Sequence, residues 1–336
     1  MTGRRWVPFA AVAGALLLLA AGLAAAGVAP GPALAALWNG AFGSPYAFFS
    51  QTLLRAAPLT LIGLGIALAF RSGAFNIGAE GQFAAGAIAA TAVALQLGRW
   101  PAAVAIPMVL AAGVAGGALW AAGPAWLRYR FGVLEVISTL ILNFVADAAV
   151  SYAVTGPLQE ARRAYPQSET IPVATQLPLL TGRLHAGALL TVLLALLLAW
   201  VFARTRFGFE WRAAGAGPRA AATIGRIPVE RRVAQALLAS GAIAGLAGAV
   251  EVTGVSYALF QNLSPGYGFT AIAVALLARL DPLGVLASGV LFGALEAGAA
   301  GMQRDAGVPS VVVYVVEAVV IIAVLLGDRL ARREGR

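Results

Sequence analysis

Gly73-Ala-Phe-Asn-Ile-Gly-Ala-Glu-Gly-Gln-Phe83 places two amides and a carboxylate, Asn76, Glu80 and Gln82, among three glycines. The stretch lies between the apolar runs 59–70 and 83–97. A backbone this irregular, carrying side chains this polar, is tolerated at membrane depth only when buried in protein or lining a wet cavity. The stretch therefore predicts a chain that crosses a bilayer repeatedly and holds a passage through it.

Composition agrees with that reading. The chain is 60% hydrophobic and 11% charged, against roughly 25% charged in soluble domains. Cysteine is absent, which excludes disulfides, thiolate metal sites and cysteine nucleophiles. All 23 basic residues are arginines, so the phosphate-binding loop that needs a lysine is excluded as well. If ATP drives this protein, another chain binds it. The single histidine, His185, makes no multi-histidine metal site, and neither a metal nor a cofactor is expected. The net charge of +9 calls for no nucleic acid, because cytoplasmic loops of membrane proteins are arginine-rich anyway.

Apolar runs that suit spans of about 20 residues fall near 7–29, 52–70, 82–98, 102–122, 134–154, 185–203, 234–254, 266–280, 283–302 and 308–326. The short run at 266–280 has a lead-in, Ser264-Pro-Gly-Tyr-Gly268, that can form part of it. With the N-terminus inside, 17 arginines become cytoplasmic and 6 external. That bias favours an even number of spans and two cytoplasmic termini. The first run is either a signal peptide or a retained helix, and its long uncharged stretch favours retention. The motifs Gly113-xxx-Gly117, Gly241-xxx-Gly245 and Gly289-xxx-Gly293 mark helix contacts, since helices in lipid associate through small residues.

The two polar lead-ins are expected on opposite faces of the membrane, five spans apart. Spans 2–5 and 7–10 would then be inverted halves, an arrangement that places broken helices around a central path. The plainer alternative is a pair of ordinary loops. The main cytoplasmic segment is 204–233, and 155–184 is the sizeable external loop. Within the former, Pro218 suits the first turn of a helix and Gly225 its stop, which predicts a two-turn helix at 218–224. So short a helix has almost no stability alone, so it is expected to dock on another protein. A solvated basic linker near anionic lipid heads is the alternative.

The chain resembles the permease subunits of bacterial ABC importers for branched-chain amino acids, simple sugars and nucleosides, and the nucleoside type most. Phe75-Asn-Ile-Gly-Ala-Glu-Gly-Gln-Phe83 is similar to the nucleoside-type signature. Glu135-Val-Ile-Ser-Thr-Leu-Ile-Leu-Asn143 is similar to a central span of the family. Ser264-Pro-Gly-Tyr-Gly-Phe-Thr-Ala-Ile-Ala-Val-Ala-Leu-Leu277, followed by Asp281-Pro-Leu-Gly284, is similar to a late one. Arg212-Ala-Ala-Gly-Ala-Gly-Pro-Arg-Ala-Ala-Ala222 resembles the segment that couples permease to ATPase. The likeness runs from about residue 50 to 326. It implies an ABC ATPase, a second permease and an extracellular substrate-binding lipoprotein as partners. The second permease is expected to be a related but different chain. For the coupling contact it points to Arg212, Gly215, Pro218, Arg219 and Gly225.

Single residues carry two readings each. Glu80 serves as a cap for the following helix or as a path-lining group. Asn143 and Asp147 lie one turn apart on the fifth span, with Glu135 two turns before Asn143. Asn143 suits an interhelical bond, whereas a lone intramembrane acid such as Asp147 normally has a partner or a function. Glu251, Glu296 and Glu317 raise the same question, with Glu251 near enough to the outer boundary for water to reach it. Phe260, Tyr267 and Phe269 suit an interfacial aromatic belt, or stacking on a flat nucleobase. The external loop, with Gln159-Glu-Ala-Arg-Arg163, is the natural dock for a delivery protein or else a spacer.

The expectation is therefore a single all-α polytopic domain over 1–336, with about ten transmembrane helices and a type II importer architecture. It would be a non-catalytic permease in the bacterial plasma membrane that passes a nucleoside or related small polar solute. The expected path residues are Asn76, Glu80, Gln82, Asn143, Asp147, Ser264, Tyr267 and Phe269. A sugar or branched-chain amino acid permease is the rival within the class, and a proton-coupled secondary transporter using Asp147 or Glu296 is a rival outside it. An intramembrane enzyme would need clustered catalytic groups that this chain lacks.

Overall fold

The structure, a computed structural model, describes residues 7–25, 27–309 and positions 312, 315, 318 and 322. The terminal arginines, Glu317 and most of the tenth expected span lie outside the described residues. Six of the described helices are long and apolar enough to cross a membrane. These are α3 (Pro45–Arg71), α5 (Ala102–Phe131), α6 (Glu135–Thr155), α7 (Gly187–Arg204), α10 (Val229–Ser256) and α12 (Pro282–Ala306). Helix α1 (Val7–Ala25) and a 13-residue helix, α2 (Pro30–Phe42), precede them.

Two apolar helices are shorter: α4 (Ala79–Ala94) has 16 residues and α11 (Tyr267–Leu277) has 11. At 1.5 Å per residue, α11 covers only about 16 Å of a hydrocarbon core about 30 Å thick. On the connecting side, α8 (Arg206–Ala216) and α9 (Pro218–Thr223) join α7 to α10. The described chain is not purely helical. Before α7, β1 (Leu179–Thr181) and β2 (Leu184–His185) form a small antiparallel hairpin.

Small residues set the packing. Helices α5 and α10 cross where Gly113 and Gly117 face Gly241 and Gly245; a Cβ on Gly241 would come within 2.7 Å of the Gly117 carbonyl. Gly293 of α12 presses on α3, where a Cβ would lie 2.7 Å from the Thr52 carbonyl. All three glycine pairs thus mark real contacts. Helix α3 is enclosed on nearly every side, burying Leu59, Leu61, Ile62, Leu64 and Ile66 completely. Helix α2 had no counterpart among the expected elements; Gly40 seats it on Ala297 and Gly301 of α12.

Arg71, Arg128, Arg206 and Arg232 gather at one end of the bundle. Arg128 pairs with Glu135 at 2.8 Å and Glu230 at 3.1 Å. Arg71 there lies over the Phe202 ring and donates to the Leu280 carbonyl, and Glu210 joins Arg206 and Arg232. At the other end, the 157–186 segment is stitched to the 253–259 stretch. Ser168, Ile171 and Leu177 donate backbone N–H groups to the carbonyls of Leu259, Tyr257 and Thr253.

Candidate functional site

The stretch 73–78 leaves the Arg71 end and climbs beside α6 before α4 begins. Its Gly73 and Ala74 N–H groups donate to the Phe70 and Ala69 carbonyls at the end of α3, and beyond them the N–H groups of Phe75 and Ile77 have no helical partner and must be met by side chains. Glu135, Thr139 and Asn143 supply them, spaced four apart on one buried stripe of α6. Glu135 accepts the Phe75 N–H at 2.5 Å, and Thr139 accepts that of Ile77 at 3.3 Å. Asn143 accepts the Gly81 N–H and donates to the Ile77 carbonyl, both at 2.9 Å. This is a side-chain ladder that stands in for a β-ladder.

Asn76 and Gln82 form a second bridge. Their amides exchange bonds of 2.7 and 3.0 Å, and Asn76 also donates to Ser240 of α10 at 2.9 Å. Both are buried, with their hydrogen-bonding capacity directed into the packing between helices.

From the opposite end, the segment 257–266 descends to the start of α11. Gly266 adopts φ +100° there, and Ser264 Oγ accepts the N–H groups of Gly266 and Tyr267. The two lead-ins meet: Glu80, in the first turn of α4, accepts the Gly268 N–H at 2.5 Å. Only glycine fits at 268, since a Cβ would lie 2.6 Å from Glu80 Cα. Two helix N-termini therefore converge on one carboxylate, the arrangement that favours an anion.

Above this contact is a cavity of about 400 Å³. Of the expected path residues, Glu80, Asp147, Ser264 and Phe269 line it. Asn76, Gln82 and Asn143 do not line it; they hold its floor. Tyr267 is buried edge-on against Phe83, with ring centroids 6.0 Å apart. Phe83, Ser151, Gln261 and Asn262 complete the polar and aromatic lining, and none of them was singled out from sequence. Ser151 continues the Asn143–Asp147 stripe by one more turn, and Gln261-Asn262 lies just ahead of the Ser264 lead-in. Gln261 donates to Ser151 Oγ at 2.6 Å, tying the descending segment to α6.

The other acids lie elsewhere. Glu251 is only 6% exposed, so the expectation that water reaches it is corrected. It sits within electrostatic reach of Glu296 and Tyr267, and Arg55 is the counter-charge that a buried acid needs. At the Arg71 end, Gly215 of α8 meets the lead-in backbone, where a Cβ would lie 2.9 Å from Gly73 N. Pro218 opens α9 and Arg219 is exposed on it. Gly225 follows its end, donating to the Ala220 carbonyl, while Arg212 donates to Gly208 within α8.

Broken helices meeting inside an apolar bundle, beside a cavity with a polar floor, are the architecture of a multi-pass membrane protein. Residues 48–325 match the family described as "Branched-chain amino acid transport system / permease component", and the chain belongs to that family of ABC transporter permeases. It is 37% identical over 318 residues to the guanosine ABC transporter permease protein NupP of Bacillus subtilis, covering 93% of this chain and 89% of that one. It is 36% identical over 297 residues to the glucose ABC transporter permease protein TsgB13 of Haloferax volcanii, covering 84% and 77%. With the nucleoside ABC transporter permease protein NupB of Lactococcus lactis it shares 33% identity over 282 residues, covering 81% and 77%.

Proposed function

We propose that this permease provides half of the route by which a nucleoside or related small polar solute enters a bacterial cell. The observation that carries the reading is the closure of Glu80 on Gly268 at the floor of the 400 Å³ cavity. A solute that loses water there needs replacement partners, which Glu80, Asp147, Ser264 and the neighbouring amides supply. Nucleoside permeases among the relatives support the substrate class, and a glucose permease among them supports a simple sugar as the second reading.

The whole chain is read as one permease domain of ten spans in the plasma membrane. Its halves, spans 2–5 and 7–10, are inverted, and both termini are cytoplasmic. The segregation of arginines supports that orientation, and two half-helices entering from opposite ends support the inverted repeat. A related second permease completes the path, an extracellular lipoprotein delivers the solute to the 155–184 loop, and an ABC ATPase docks on 204–233. The contact of Gly215 with Arg71 and Gly73 would carry the ATPase's movement to the lead-in. No residue of this chain performs covalent chemistry in that cycle.

The test is uptake in the complete transporter. Glu80→Ala should lower uptake strongly while the ATPase remains bound, and Glu80→Ser, which can cap but carries no charge, should not restore it. Full uptake in Glu80→Ala, or complete rescue by Ser, would defeat the path-lining role.

A further inference from the structure

We infer that Glu80 and Asp147 make the cavity an anion-refusing filter, open to neutral hydroxyl-bearing solutes and closed to carboxylates and phosphates. This deepens the reading of the cavity as the solute path and rests on it.

Both carboxylates border one space, and no arginine lines it among the described residues. Glu80, in the first turn of α4, takes a hydrogen bond from the Gly268 N–H in the first turn of α11. The two helix N-termini offset part of the cost of burying its negative charge. Asp147 lies within electrostatic reach of Glu80 and carries no hydrogen bond among the described residues. Its full accepting capacity therefore faces the cavity and water.

An incoming anion held about 6 Å from such a charge, in surroundings between protein and water, is disfavoured by about tenfold per carboxylate. A sugar or ribose hydroxyl, by contrast, donates to either carboxylate. The amides of Gln261 and Asn262 both donate and accept, which suits a base edge or a hydroxyl pair. Phe83 and Phe269 offer flat apolar faces.

The cysteine-free sequence allows the local field to be measured in the complete transporter. Ser151→Cys places one thiol in the cavity wall, and its modification rates with a cationic and an anionic methanethiosulfonate of similar size report the sign of the potential. The cationic reagent should be favoured about tenfold beyond its preference for a free thiol. Asp147→Asn, or Asp147→Ser if the amide disturbs folding, should remove most of that preference. A preference unchanged by both variants overturns the filter.

Protection of the same thiol separates the two readings. Guanosine or glucose should slow modification, while guanosine 5′-monophosphate and glucose 6-phosphate at equal concentration should not. Equal protection by the anionic counterparts overturns the filter and leaves the path reading standing. Absence of protection by every solute, together with full uptake in Glu80→Ala, defeats the path reading itself.

Discussion

Asn143 gives the sharpest test of how the lead-in is held. Asn143→Ala would orphan two backbone groups at once, the Gly81 N–H and the Ile77 carbonyl, each bonded at 2.9 Å. Asn143 is 3% exposed, so water does not readily take its place. An unpaired buried group costs about 1–3 kcal/mol, which sums to about 2–6 kcal/mol here. Side-chain bonds between membrane helices average only about 0.6 kcal/mol, because the unfolded chain in lipid finds other partners. That discount fits poorly here, since residues 74–78 have no helix in which to recover their bonds. We therefore expect a loss of at least about 2 kcal/mol. The assay is unfolding of the purified protein in a graded mixture of mild and denaturing detergent, followed by tryptophan fluorescence. A loss below about 0.5 kcal/mol for Asn143→Ala would refute the ladder as the support of the lead-in.

Gly215→Val puts a branched side chain against the backbone of Arg71 and Gly73; substrate-stimulated ATP hydrolysis should fall about five- to 150-fold with insertion intact, and deletion of residues 218–224 should do the same. Normal stimulation in either would remove the coupling assignment. Cysteines placed singly at Gln167 and Arg219 should react with an impermeant thiol reagent from opposite sides of the membrane, and labelling of both from one side would refute the orientation. His185, fully buried beside Gly254 and Gly187, has its imidazole held down to about 4 from the usual 6.5 by burial. Because the folded value lies below the unfolded one, its contribution is complete above pH 6.5 and lost as pH falls toward 4. That amounts to about 3 kcal/mol, and melting temperatures at pH 7.5 and 4.5 should converge in His185→Leu if the reasoning holds.

Much of the architecture was readable because lipid leaves the backbone few choices. Glycine and amide residues inside an apolar run had to mean a broken helix with its own hydrogen-bond supply, and 73–83 proved to be one. What the sequence could not reveal was direction. Asn76, Glu80 and Gln82 lie within two helical turns, yet only Glu80 faces the cavity, while the amides turn toward Ser240 and each other. Their orientation depends on α10, more than 150 positions away in the chain. The meeting of Glu80 with Gly268, across 188 positions, is equally invisible to local pattern. Helix α2 escaped notice for another reason: it opens on Pro30, Gly31 and Pro32, residues that commonly mark turns, and its 13 residues fall short of a span. Its helical state is supported by packing on α12 through Gly40.

The ladder along α6 also has a mechanical meaning. Its rungs form a short zip fastener whose open end lies beside Gly73, where Gly215 presses, and whose closed end lies at Gly81, next to Glu80. A pull on Gly73 strains the Phe75–Glu135 rung first, the Ile77–Thr139 rung next and the Asn143 bonds last. A displacement applied at Gly73 therefore has two separate hydrogen bonds to stretch before it reaches Gly81 and the floor of the cavity.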